Sequence, residues 1–232
     1  ASEATTTFVA GDIIVTNGTI SSFTAASSIV YTATFTPLNA GDCTIDVPVG
    51  TFTDAAGNNN TAATTFNWEF DNIKPTMTIT STTAGIISGS TTNNLNINLT
   101  FTTSKPTTNF ATGDITVSNG SISNFAALSS TVYTAIFTPT ANGACTIDVA
   151  ANTFTDAANN DNTAATQFNW TQDTVEPSMV ITSTTAGVTD GSSTTNTSIA
   201  LTFTASEATT TFIAADIIVT NGTISSFTAA SS

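Results

Sequence analysis

The chain contains no histidine and no arginine, and its only basic side chains are Lys74 and Lys105. Without imidazole there is no Ser-His-Asp or Cys-His nucleophile system and no histidine-ligated metal. Two lysines against sixteen Asp plus Glu leave a formal charge of −14. Nucleic acid is thereby excluded as a partner, because almost nothing is present to neutralise phosphates. The same repulsion disfavours anionic membrane surfaces and keeps long polymers of such a chain from clumping. No apolar run approaches a membrane span, and the opening Ala-Ser-Glu-Ala-Thr is neither basic nor apolar, so no membrane insertion is expected in this segment and any export signal would lie outside it. Cysteine is scarce too: Cys43 and Cys145 alternate with the apolar residues of Cys43-Thr-Ile45-Asp-Val47 and its counterpart, which reads as a pair of buried free thiols.

What is present is a repeat. Asp71-Asn-Ile-Lys-Pro-Thr-Met-Thr-Ile-Thr-Ser-Thr-Thr-Ala-Gly85 returns as Asp173-Thr-Val-Glu-Pro-Ser-Met-Val-Ile-Thr-Ser-Thr-Thr-Ala-Gly187, an offset of 102 residues. The same offset carries Asp12 to Asp114, Tyr31 to Tyr133, Cys43 to Cys145, Asp54 to Asp156 and Trp68 to Trp170. Residues 1 to 28 come back at 205 to 232 with two changes, Val9 to Ile213 and Gly11 to Ala215, so two types of module alternate. Each Asp-x-x-x-Pro segment marks a joint, since proline lacks a donor and drives the residue before it to extended conformations. The expected division is 1–70, a partial module without its first two strands; 71–172, a complete module; and 173–232, a partial module without its last strands.

Within 71–172 the periodicity is that of strands. Met77-Thr-Ile79-Thr, Leu95-Asn-Ile97-Asn-Leu99-Thr-Phe101, Ile115-Thr-Val117-Ser, Ile122 to Phe125, Val132 to Phe137, Cys145 to Val149 and Phe168-Asn-Trp170 make seven short strands between Gly, Asn, Asp, Ser and Pro turns, with no amphipathic helical window. That pattern predicts an all-β chain of tandem antiparallel β-sandwiches of immunoglobulin type, with Phe101, Ile115, Tyr133, Phe137, Ile147, Phe168 and Trp170 in the core.

Six landmarks recur in order: the Asp-x-x-x-Pro linker, Thr-Ile-Thr-Ser, Ser-Glu after the second strand, Phe-x-x-x-Asp-Ile-x-Val-x-Asn-Gly, Tyr-Thr-Ala-x-Phe-Thr-Pro and Thr-Asp-Ala-Ala-Gly-Asn. Together they resemble the bacterial Ig-like repeats of giant tandem-repeat surface proteins and adhesins, over the whole chain. The resemblance implies extracellular stalks, fibres or adhesin extenders, often with calcium stiffening the joints.

Threading the strands brings the acid-bearing loops to the pole facing the preceding module: Glu3, Asp12 and Asp54 in the first, Asp71, Asp114, Asp156 and Asp161 in the second, Asp173, Glu176, Glu207 and Asp216 in the third. Paired carboxylates could serve glycoside hydrolysis only across a cleft, and these lie in repeated end loops, so no enzyme is expected. Clustered carboxylates with Asn and backbone carbonyls do suit Ca²⁺, which takes about six to eight oxygens. Candidate ligands are Asp173, Glu176, Glu207, Asp216, Asp54, Asn58, Asp156 and Asp161, although Asp and Asn also cap turns on their own backbone. Lys105 stands where the repeat has Glu, and Lys74 where the next linker has Glu176, so ion pairing of Lys74 and Lys105 with the cluster of Asp71, Asp114 and Asp156 is expected to replace metal at that joint. Asn17, Asn119 and Asn221 are identically placed sequons in Asn-Gly turns and would be the most exposed glycan acceptors, though Asn-Gly is also simply the preferred tight-turn pair.

The expected function is a structural repeat giving reach and stiffness, roughly 35 to 45 Å per module from strands rising about 3.3 Å per residue. The rival expectation is an adhesin module that itself recognises glycan or protein; the gapless alignment favours a scaffold. Self-association into filaments or bundles is a further expectation. One route is lateral, with Lys joints facing Glu joints of a neighbour. Another is completion of residues 1–70 by strands 173–204 of a second molecule, against which counts the repetition of residues 1–28 at the far end.

Overall fold

The computed structural model describes residues 1–229. It divides into a unit ending at Asp173 and a second beginning at Thr174. In the first unit, residues 1–70 carry β1 (Ile14–Thr16), β2 (Gly18–Ala25), β3 (Tyr31–Pro37), β4 (Gly41–Asp46) and β5 (Phe66–Phe70). Residues 71–172 carry β6 (Met77–Ser81), β7 (Ser90–Thr92), β8 (Ile97–Thr103), β9 (Ile115–Ser118), β10 (Gly120–Ala127), β11 (Val132–Pro139), β12 (Gly143–Val149) and β13 (Phe168–Gln172). The second unit has β14 (Met179–Ser183) and β15 (Leu201–Ala205).

The complete module is a sandwich of two four-stranded sheets, β10-β11-β8-β6 and β7-β13-β12-β9. Alternation does what the sequence demands. In β8, Ile97, Leu99 and Phe101 turn inward between exposed or half-exposed neighbours, and β12 does the same with Cys145, Ile147 and Val149. Phe137 meets Trp170 edge to face at 4.7 Å, and Phe110 gathers Phe101, Phe125, Tyr133 and Phe154 around it. Cys145 is fully buried, and burial pushes its thiol pKa up, as a packed small hydrophobe requires. Of the expected core, Ile115 alone is only partly buried and packs at its margin.

Two details differ from the seven-strand expectation. The eighth strand, β7, pairs in parallel with β13, Trp170 opposite Ser90, while every other pairing is antiparallel. Ser90-Thr-Thr92 has no apolar residue and so shows no alternation. The glycines of the Asn-Gly turns answer to packing as well as turn geometry: a Cβ on Gly120 would collide with the Phe137 ring, and one on Gly18 with Phe35.

Residues 1–70 repeat half of this design, β2-β3 facing β1-β4-β5 in the registers of their counterparts. In the second unit β14 and β15 pair antiparallel, but residues 217–229 form no strand, although their sequence matches β1 and β2; the strands that pair with β9 and β10, namely β12 and β11, have no counterpart among residues 174–229.

Candidate functional site

The one concentration of charge contacts among the described residues lies at the linker end of the complete module. Asp71 opens the linker, Lys105 follows β8, and Asp156 sits in the β12–β13 loop. Pro75 is fully buried and its carbonyl accepts the Thr163 N–H at 3.0 Å, which ties the linker to that loop. Fixed between them, the Lys105 ammonium lies 2.5 and 2.7 Å from the two carboxylate oxygens of Asp71, 2.5 Å from the Ile73 carbonyl and 3.2 Å from Asp156 Oδ2. Four oxygens from two carboxylates and one carbonyl thus surround one cation.

The second carboxylate is held by its own loop. Asp156 Oδ1 accepts the backbone N–H groups of Ala158 and Asn160, and the Asn160 amide donates both to Asp156 and to the Asp71 carbonyl at 3.1 Å. Asp156 keeps only 3% of its side chain exposed. Its pKa is nonetheless lowered: burial works against the charge, and the Asn160, Lys105 and Ala158 hydrogen bonds outweigh it. The Lys105 hydrogen bond holds Asp71 below the usual carboxylate range, and its pairs with Asp71 and Asp156 raise Lys105 in spite of burial.

Beneath this loop lies a residue that periodicity does not single out. Asn162, with no exposed surface, accepts from Thr153 and Phe154 N–H through Oδ1 and donates to the Ala150 and Thr163 carbonyls. Asn60 does the same in the first module for Thr51, Phe52, Pro48 and Thr61. The signal available in the sequence was the shared Asp-x-x-x-Asn-x-Asn spacing of 54–60 and 156–162.

The other expected residues fall as follows. Asp114 accepts the Ala111 N–H at 2.8 Å in the 3-10 turn before β9, so of the three expected acidic partners Lys105 pairs with Asp71 and Asp156 and not with Asp114, which is a correction. Asp12 and Asp216 fill the same turn role with Val9 and Ile213. Lys74 is exposed and enters no ion pair among the described residues, because its linker position faces outward beside the buried Pro75. Asp54 binds the Ala56 and Asn58 N–H groups and the Asn58 amide, and hydrogen bonds from Asn58 lower its pKa, with Glu3 contributing. Asp161 is exposed and pairs with Thr155 through the backbone. Asp173 and Glu207 are half-buried and Glu176 is exposed. Among the described residues no group of three carboxylates or thiols gathers around one point. Asn17 and Asn119 adopt left-handed conformations, and their amides donate to the Asn39 and Ala141 carbonyls. They are half-buried turn residues rather than the exposed acceptors expected; Asn221 is exposed.

A family model described as a bacterial Ig-like domain matches residues 1–70 and 71–171. No curated protein matches the chain.

Proposed function

From the premise that this chain belongs to the bacterial Ig-like domain family, we propose that it is a structural stretch of an extracellular repeat protein, an extender or filament strand built of sandwiches in series. Domains of this family are surface or adhesin-type modules, typically without catalysis. The observation that carries the finer reading is repetition down to single hydrogen bonds: Asn60 and Asn162, Asp54 and Asp156, Asp12 and Asp114 make the same contacts within their own loops 102 residues apart, with no inserted loop in either copy. A scaffold needs identical units; a recognition domain needs a distinctive surface.

We further propose that joints carrying Glu where this one carries Lys105 hold Ca²⁺. Lys105 is a cation in an all-oxygen surrounding, and Ca²⁺ takes that donor chemistry. Glu in its place removes the built-in cation and adds two oxygens. At such joints Glu176 and Glu207, or Glu3, Asp54 and Asn58, would contribute ligands.

The test combines scattering with calorimetry. Concatemers of the 71–172 module should lengthen by roughly 35 to 45 Å per added module. Lys105→Glu should make melting rise with calcium and fall with EDTA, while the wild-type module ignores both. A maximum dimension growing only as the square root of module number would overturn the rod, and a Lys105→Glu variant indifferent to calcium would overturn the metal joint.

A further inference from the structure

Cys145 is the only thiol of the complete module, and its cover is weak at one point. β12 begins where β13 ends, with Gly143 opposite Gln172 and Cys145 opposite Trp170. Cys145 has no exposed surface. The Asn119 amide donates to its sulfur at 3.4 Å, and the Gln172 backbone N–H bears on the sulfur from β13. Gln172 is therefore part of the lid over a nucleophile that the folded module otherwise shuts away.

Little holds that lid down. Gln172 is buried, and among the described residues neither atom of its amide has a hydrogen-bond partner; nor has Trp170 Nε1. Trp170 and Gln172 stand two residues apart on one face of β13, so three desolvated polar atoms collect at this end of the core. Each is a cost that water would remove. No large apolar contact along the strand opposes the change. On one edge the end of β13 meets Ser90–Thr92 and the bond from the Asp173 N–H to the Thr92 carbonyl, and on the other it meets Gly143 and Ala144. Trp170, by contrast, is anchored edge to face on Phe137 at 4.7 Å. The repeat places Phe70 where this module has Gln172, so the sandwich itself does not call for an amide there.

We infer that Gln172 is a gate over Cys145: the last two residues of β13, Thr171 and Gln172, lift from β12 and β7 while Trp170 and the rest of the sandwich stay in place. Lifting hydrates the Gln172 amide and opens the Cys145 sulfur to solvent. The free energy of such an opening lies well below that of global unfolding, because it breaks only a few ladder bonds and exposes no large apolar side chain. Asp173 follows the gate directly and begins the next linker, so motion of the linker is passed to the gate before it reaches the core. The device ties the accessibility of a buried thiol to the state of the joint beside it.

The full 232-residue chain is pulsed with excess N-ethylmaleimide, and the adduct at Cys145 is quantified on its own peptide by mass spectrometry. In that reaction the thiolate sulfur bonds to one alkene carbon and a proton from water completes the other. Labelling of Cys145 is expected to be faster than the globally unfolded population allows, and flat with urea below the unfolding transition, since the gate exposes little surface. Gln172→Leu removes the amide that gains from hydration, and should slow labelling about tenfold. Asn162→Ala acts at the other end of β12, where the Asn162 amide binds the Ala150 carbonyl, and should leave the rate unchanged while the module stays folded. If that variant does not fold, the urea series separates the two routes by itself. Labelling that rises with urea along the full unfolding slope overturns the proposal. So do equal rates in wild type and Gln172→Leu, or a folded Asn162→Ala that labels faster in proportion to its lost stability.

Discussion

Replacing Asn162 by alanine tests whether the candidate site rests on one buried amide. The substitution removes four hydrogen bonds of 2.8 to 3.0 Å, two accepted from backbone N–H groups and two donated to backbone carbonyls, at a residue with no exposed surface. Each buried group left without a partner costs about 1–3 kcal/mol. The two N–H groups dominate, since each carbonyl oxygen has a second lone pair, and partial relaxation of the loop lowers the sum, so the expected loss is about 3–5 kcal/mol. For a module of about a hundred residues that is a fall in melting temperature of roughly 15–30 °C. Asn60→Ala removes the same four bonds in the first module. Asn60 is half-buried, so water replaces the lost partners and the cost should be about 1 kcal/mol. Calorimetry with Trp170 fluorescence, on a Trp68→Phe background so that the complete module alone is reported, separates the two. Equal losses in both modules, or a loss under about 1 kcal/mol for Asn162→Ala, would refute the reasoning.

Two more outcomes are expected. Stability of the complete module should depend on pH through the Lys105 cluster. Asp71 and Asp156 have lowered pKa values, so their contribution is present above the ordinary carboxylate value of about 3.9 and is lost as pH falls through the folded values. Lys105 is raised, so its contribution is present below about 10.4 and is lost as pH rises through its folded value, where the buried Tyr133 phenol adds a second loss. The acid limb therefore discriminates: the melting gap between wild type and Lys105→Met should close as pH drops through the carboxylate range, and a gap that persists in acid contradicts the pairing. Gln172 is 2% exposed with neither amide atom bonded, and its counterpart is Phe70, so Gln172→Leu should stabilise the module by about 1–2 kcal/mol by calorimetry. Destabilisation would show that the amide has a partner the geometry does not reveal.

The strands and the core were legible because both follow from period-two alternation, which Ile97, Leu99 and Phe101 or Cys145, Ile147 and Val149 obey without exception. The burial of both cysteines followed from the same rule. β7 was invisible to it, being Ser-Thr-Thr and held by a distant partner. The site was half legible. Reversal of charge at Lys105 marked the cluster, but nothing local distinguishes Asp156, which turns in to the ammonium, from Asp114, which closes its own turn. Loop side chains are aimed by tertiary approach, here the bond from Thr163 to Pro75, and sequence spacing carries no record of that. Asn119 illustrates the same limit: an Asn-Gly pair announces the turn, while the reach of its amide to Ala141 depends on the β11–β12 connection that the sheets bring beside it.

The parallel pairing of β7 with β13 has a mechanical consequence. In a parallel pair, strands drawn from opposite ends slide along a common axis. A pull transmitted through a chain of modules would draw β7 toward its N-terminal end and β13 toward its C-terminal end. The bonds between Ser90–Thr92 and Trp170–Gln172 are then loaded together in shear, whereas a hairpin pulled at its open end parts one bond at a time. Three short residues, polar and without periodic signature, would thus act as a shear-loaded clasp behind the β6–β8 pairing that the same pull meets first.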